Sequence, residues 1–284
     1  MGGDKNDVEL LFPHQRPVQA RPRMSKGPFF QVAACTLEVS LRTWWALARG
    51  KAPIQAGDDL LVEWWPRVFR YGNASLHARG RHQLTAGQAY VYMSNHCSLL
   101  DIPAMFGAVP GSLRMVTKEE LIRVPIWGPA MKKVGFVPVD RKNRVKAIHQ
   151  LEVAKDLLRQ GVSVWISPEG TRARDGKLAR FKRGGFHLAL DLGAPIVPVW
   201  IEGTDGIIAP DQLATRQDGE VEVRFGAPLP TEGLGKDDMG ELMQRVRAAI
   251  LELSSRAAEV DGERTPTSSS GQAPSEGAPV RLAG

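Results

Sequence analysis

The chain has 284 residues, 43% of them hydrophobic, which suffices for one large α/β domain or two small ones. Its formal charge is +6, and residues 1–82 hold 12 Lys/Arg against 7 Asp/Glu, so nearly all the excess lies in the first third, where it attracts either nucleic acid or an anionic membrane. Two cysteines, Cys35 and Cys97, with no CxxC or Cys/His spacing, exclude a disulfide scaffold and structural zinc, and they fit a reducing compartment.

In chain order, residues 1–27 are too rich in Pro and charge to fold alone and are expected to be a disordered tail. The start "MGGDKNDVEL" has neither the basic region nor the apolar core of a signal peptide, and Asn6 breaks the myristoylation pattern. Residues 28–48 are apolar except for Glu38 and Arg42, which fall four apart on one helix face. A shorter apolar stretch, 60–69, follows. Trp44, Trp45, Trp64 and Trp65 suit a membrane–water boundary, and Arg42, Arg49, Lys51, Arg67 and Arg70 flank them. Residues 28–72 therefore read as two helices lying in one leaflet, ahead of a spanning helix or a soluble pair covering the core. Basic charge beside tryptophan-rich apolar helices points to a membrane and away from nucleic acid.

From residue 73 to 258 strands alternate with helices. Strands are expected at 89–94, 113–117, 135–139, 162–167, 196–201 and 220–225. Helices are expected from about Ser98, over 144–160 with Val145, Ile148, Leu151, Ala154 and Leu158 on one face, over 184–193, and from an Asp238/Glu241 capping box to about 258. Such alternation predicts an α/β fold, a mainly parallel or mixed sheet flanked by helices, with ligands outside the carboxyl ends of the strands. Residues 259–284 read as a second disordered tail.

The chemistry-bearing residues fall at those strand ends. "SNHCSLLDIP" places His96 and Asp101 after a buried strand. Ser98 and Asp101 fit a capping box, which leaves Asn95 and His96 unexplained. A base with an orienting carboxylate explains both His96 and Asp101. Lys118, Arg141 and Arg172 follow other strands, with Glu169, Gly170 and Thr171 beside Arg172, and Lys182 and Arg183 further on. Clustered cations indicate an anionic ligand, and arginine forks match phosphate. Arg174, Lys177 and Arg180 read as solvated surface. No GxxxxGK[ST], GxGxxG or GxSxG stretch is present. Cys97 reads as a small packing residue rather than a nucleophile.

These stretches resemble the phospholipid/glycerol acyltransferase family, most of all its 1-acylglycerol-3-phosphate (lysophosphatidate) acyltransferases. The family's NHxxxxD block is similar to "NHCSLLD" (95–101), its glycine-to-arginine block to "GFVPVDR" (135–141), its PEGTR block to 168–172, and its apolar block around proline to "APIVPVW" (194–200). The four occur in family order over roughly residues 70–230. The resemblance implies a glycerolipid acyltransferase fold and acyl transfer from acyl-ACP or acyl-CoA, as co-substrate, to the sn-2 hydroxyl of 1-acylglycerol 3-phosphate, giving phosphatidic acid. No cofactor or metal is implied. His96 would be the base and Asp101 its partner. Lys118, Arg141 and Arg172 would hold the phosphate, and Glu169, Gly170 and Thr171 would shape the acceptor site, with Glu169 pairing an arginine. The expected partners are lysophosphatidate, an acyl-carrier protein or coenzyme A thioester, and an anionic phospholipid membrane, met at its cytoplasmic face. Other acceptors (glycerol 3-phosphate, another lysophospholipid, a lyso-lipoamino acid) and a non-catalytic lipid-binding protein stay open.

Overall fold

The structure, a computed structural model, describes residues 9–10, 24–25, 27–141, 143–173, 177–208, 215–216 and 219–254. Both proposed tails, Arg174 and the end of the last helix beyond 254 lie outside the described residues in whole or in large part.

The chain runs β1 (Glu9–Leu10), β2 (Met24–Ser25), α1 (Gly27–Ala48), α2 (Pro53–Gly72), β3 (Ser75–Arg79), β4 (Val91–Ser94), α3 (Asp101–Ala108), β5 (Leu113–Lys118), α4 (Trp127–Lys133), β6 (Val137–Val139), α5 (Arg144–Arg159), β7 (Ser163–Ile166), α6 (Gly184–Leu192), β8 (Ile196–Glu202), α7 (Thr204–Ile207), β9 (Thr215–Arg216), β10 (Glu220–Phe225) and α8 (Met239–Glu252). One sheet has the order β1-β3-β10-β8-β4-β7-β5-β6, and β2 pairs β9 separately. The five strands from β8 to β6 are all parallel; β10 is antiparallel to β8 and parallel to β3. The mixed sheet flanked by helices is the one the alternation predicts.

The central strands are buried on both faces, so they read as continuous apolar runs. Pleating sends Tyr90 and Tyr92 to a core shared with α2 and α3, while Val91 and Met93 enter a core shared with α5, α6 and α8. In α5 the expected face shifts: Ala154, Leu157 and Leu158 are buried, but Val145 in the first turn is 67% exposed, and the Ile148 side chain lies outside the described set.

Of the two expected capping boxes the first forms in part: the Asp101 carboxylate accepts the Ser98 N–H at 2.9 Å and Ser98 Oγ accepts the Leu100 N–H at 3.1 Å, but these close a turn ahead of α3, which begins at Asp101. At α8 the Asp238 carboxylate accepts the Gly235 N–H at 2.7 Å, so no side-chain cap forms, and the helix ends at Glu252. Strand β3 and helix α4 lie in stretches with no expected element. Helix α2 is twice the length of the apolar stretch it contains, since Pro53 opens it at a position needing no N–H and Asn73, in the left-handed region at φ +46°, closes it.

The packing of α1 is inverted. Its buried residues are Pro28, Cys35, Ser40 and Thr43, while Phe30, Leu37, Leu41 and Trp45 are 45–67% exposed. The hydroxyls of Thr36, Ser40 and Thr43 bond the helix carbonyls four residues back, which satisfies them inside the helix pair. Glu38 and Arg42 form the expected i,i+4 pair and also stitch α1 to α2, Arg42 to Glu63 at 2.6 Å and Arg67 to Glu38 at 2.6 Å. No helix among the described residues is long and apolar enough to cross a membrane.

Candidate active site

Because β4, β7, β5 and β6 are parallel, their carboxyl ends share one sheet edge. His96 follows β4, Glu169 follows β7, Lys118 ends β5, and Arg141 follows β6. Topology thus gathers four residues that are up to 73 positions apart in sequence.

His96 Nδ1 lies 2.7 Å from Asp101 Oδ2. The same oxygen accepts the N–H groups of Cys97 at 2.8 Å and Ser98 at 2.9 Å. Thr204 Oγ1 donates to the other oxygen, Oδ1, at 2.5 Å. The Asp101 carboxylate is fully buried, whereas the His96 side chain keeps 16% of its surface open. A carboxylate held by four donors is a fixed negative point, and it fixes Nδ1 of the imidazole as the proton-bearing nitrogen. Nε2 has no protein partner among the described residues and is the atom left for chemistry.

The backbone under His96 is braced. Asn95 Nδ2 and Oδ1 bond the carbonyl and N–H of Ile201, both at 2.8 Å, locking the end of β4 to β8. Trp165 stands edge-on to the imidazole with ring centroids 6.0 Å apart, and its indole N–H bonds Ser94 Oγ at 2.9 Å. Cys97 is buried, and burial first, then the charges of Asp101 and Asp205, push its thiol up to about 12. A thiol kept protonated beside a carboxylate is not a nucleophile, as the sequence reading holds.

The loop after β7 closes over this pair. Gly170 sits at φ +73°, and its N–H bonds Ser167 at 3.1 Å. The Lys182 N–H bonds the Pro168 carbonyl at 2.6 Å, and the Ala173 N–H bonds the His96 carbonyl at 2.7 Å. Glu169 is 2% exposed. Its Oε2 accepts the Ala179 N–H at 2.8 Å, and Oε1 has no partner among the described residues. Burial raises its carboxyl above the usual range, offset in part by the backbone N–H groups of Ala179 and His96 and by the charges of His96 and Arg247. The expected Glu169–arginine ion pair is not made among the described residues; instead Arg247 bonds the carbonyls of Leu178 and Ala179 at 2.7 and 2.8 Å and holds the loop that carries the Glu169 contact. Arg141 Nη1 donates to the Gly170 carbonyl at 2.5 Å, joining the second and third blocks. Arg172 is half-buried on the same loop, while Thr171 and Lys118 are exposed.

A cavity of about 690 Å³ lies farther along, lined by Ile122, Phe136, Pro138, Val145 and Val153 among others, with Glu119 at its wall ion-paired to Lys146 at 2.6 Å. It is apolar and touches none of the eight expected site residues, though Glu119 directly follows Lys118.

Sequence reasoning missed Thr204, Arg247 and the brace from Asn95 to Ile201. Thr204 had one signal, its place just after the "APIVPVW" strand; Arg247 had none, since it comes from the far end of the chain on α8.

A parallel sheet edge with a histidine–carboxylate pair under a glycine-turned loop defines a class. A family model described as Acyltransferase matches residues 75–202. The chain is 30% identical over 216 residues, covering 75% of this chain and 88% of the relative, to the 1-acyl-sn-glycerol-3-phosphate acyltransferase of Haemophilus influenzae. This chain belongs to the acyltransferase family. It is also 39% identical over 184 residues to the human 1-acyl-sn-glycerol-3-phosphate acyltransferase alpha, spanning 64% of each chain. In fold it is similar to the crystal structure of the 1-acyl-sn-glycerophosphate acyltransferase PlsC from Thermotoga maritima, with a TM-score of 0.65 and 24% identity over 85% of this chain and 96% of that one.

Proposed function

We propose that this protein transfers a fatty acyl group from a thioester, acyl-ACP or acyl-CoA, to the sn-2 hydroxyl of 1-acylglycerol 3-phosphate, forming phosphatidic acid. The observation that carries the reading is the 2.7 Å bond between His96 Nδ1 and the buried Asp101 carboxylate, which leaves Nε2 of a partly exposed imidazole without a protein partner among the described residues. The names of the relatives from Haemophilus influenzae and human support the choice of acceptor.

A glycerol hydroxyl is a weak nucleophile until a base takes its proton. His96 Nε2 accepts that proton as the hydroxyl oxygen bonds the thioester carbonyl carbon. Asp101 stabilises the imidazolium that results. The tetrahedral centre then collapses, the C–S bond breaks, and the proton passes from His96 to the departing thiolate. Arg141, Arg172 and Lys118 stand on the same sheet edge and meet the phosphate. Glu169, on the loop beside them, shapes the acceptor site from beneath.

The protein works peripherally on an anionic membrane, at its cytoplasmic face where a thioester donor arrives. The support is the apolar stripe of α1 and the basic first third of the chain. The test is purified protein with a panel of lyso-acceptors and both donors, reading products by mass. Phosphatidic acid from lysophosphatidate, abolished in His96→Ala with its fold intact by circular dichroism, is expected. A different preferred acceptor, or turnover undiminished in His96→Ala, overturns the reading.

A further inference from the structure

We infer that residues 124–126, between the turn Glu119–Arg123 and α4, are a second lipid-contact element that enters the same anionic bilayer as α1; this rests on the membrane reading of α1 given above. Three consecutive apolar residues stand out of the surface there, with Val124 and Ile126 at 41% and 40% exposure and Pro125 exposed between them. Solvent gives no reason for such a tip, and acyl chains do.

The tip is rigid. Pro125 has no N–H, and the N–H groups of Val124, Trp127 and Gly128 bond carbonyls of Leu121, Pro125 and Val124 at 3.2, 2.7 and 2.9 Å. These groups need no water, which eases entry of backbone into an apolar medium, and the Ile126 N–H is the one at the tip with no acceptor among the described residues. Gly128 lets the start of α4 lie against the turn, where a Cβ would fall 2.4 Å from the Ile122 carbonyl. The bond across Pro125 and Trp127 forces Ile126 to φ +66°, ψ −59°, a tight turn that β-branched residues rarely adopt. Asparagine or glycine adopts it more readily, and neither presents an apolar side chain.

The tip is also continuous with α1. The Ile126 carbonyl accepts the Trp44 indole N–H at 3.2 Å, next to the exposed Trp45 and Leu41. Cations border both parts: Arg123, exposed, directly precedes the tip, and the Arg49 guanidinium lies 4.6 Å from the Trp45 ring. Apolar residues rimmed by arginine complement acyl chains under anionic headgroups. The tip therefore seats the catalytic body, as well as the helix pair, on the lipid.

The direct test labels Val124→Cys with an environment-sensitive fluorophore; Cys35 and Cys97 are buried, so the signal reports position 124. Vesicles of phosphatidylglycerol and phosphatidylcholine should shift the emission to the blue. Protein that sediments with the vesicles while its label stays unshifted overturns the inference and spares the α1 reading. Wild-type protein that stays in the supernatant overturns both. Separately, Val124→Asp with Ile126→Asn should weaken partition onto these vesicles about tenfold or more, since apolar insertion is replaced by polar burial. Turnover of detergent-dispersed lysophosphatidate should hold. Partition equal to wild type overturns the inference, as does loss of detergent-dispersed turnover with partition intact, which would put the loop in the acceptor's path. Val124 has ordinary backbone angles, φ −65° and ψ 122°, so the labelled single variant carries the test should the double variant unfold.

Discussion

At the scale of single residues, the geometry around Asp101 assigns weight to a side chain outside the four family-like blocks. Among the described residues Thr204 supplies the only donor to Asp101 Oδ1, and both are fully buried. Thr204→Val keeps the shape and leaves that oxygen unmatched, a loss of about 1–3 kcal/mol. The uncompensated charge favours the protonated imidazole, so the acid limb of the pH–rate profile should move to higher pH while kcat falls about tenfold. Thr204→Ser should restore both, and a profile unchanged in the valine variant would refute the link. Glu169 gives a second test. Burial raises its folded-state carboxyl above the unfolded value, so its stabilising share is full below the ordinary carboxylate range and is lost as pH rises through the raised folded value. Glu169→Gln removes that loss. Urea unfolding from pH 4.5 to 7.5 should show the glutamine variant gaining on wild type as pH rises; parallel curves would contradict the burial argument.

At the scale of elements, the joint between α2 and the sheet is held by one arginine. Arg114, fully buried on β5, donates to the Val134 carbonyl at 2.6 Å, to Asp58 and the Leu113 carbonyl at 2.7 Å, and to the Ile54 carbonyl at 2.7 Å. Gly57 makes room for it, since a Cβ there would fall 2.7 Å from the guanidinium. Burial lowers the guanidinium from its ordinary value, and the Asp58 charge opposes that. Asp58→Ala strands the charge and should destabilise by about 3–5 kcal/mol by urea denaturation. Arg114→Met with Asp58→Ala should recover most of it. A double variant as weak as the single would mean that the carbonyl bonds, not the charge, hold the joint.

At the scale of the whole molecule, the helix pair serves two masters. Val68 and Phe69 of α2 lie in the core with Leu76 and Met105, and Trp65 packs against it, so residues 28–72 are not a detachable anchor. Deleting residues 1–72 should therefore unfold the protein, read as loss of the cooperative melt. Phe30→Ser, Leu37→Ser, Leu41→Ser and Trp45→Ser together touch only the exposed stripe. That variant should melt near wild type and lose vesicle flotation. A truncated chain that melts cooperatively would show the pair to be an appendage after all.

Much of this was legible in the sequence. Period-two and continuous apolar runs set strands β4 to β8 and β10, because burial on both faces leaves no room for polar residues. The strand-end placement of His96, Glu169, Lys118 and Arg141 followed from alternation alone, since parallel strands present their carboxyl ends together. A local signal misled where a side chain had a better partner than the helix: Asp238 turns to Gly235, a choice that spacing does not show, whereas the five-residue spacing of His96 and Asp101 had already suggested their contact. Strand β3 is five residues whose pairing with β10, 145 positions on, makes it a strand. The tertiary structure alone decided that Thr204 faces Asp101, that Arg141 meets Gly170, that Arg114 lies buried, and that α1 turns its large apolar residues outward. Each of these is a contact between distant segments, and no local pattern encodes which of two apolar faces a helix hides.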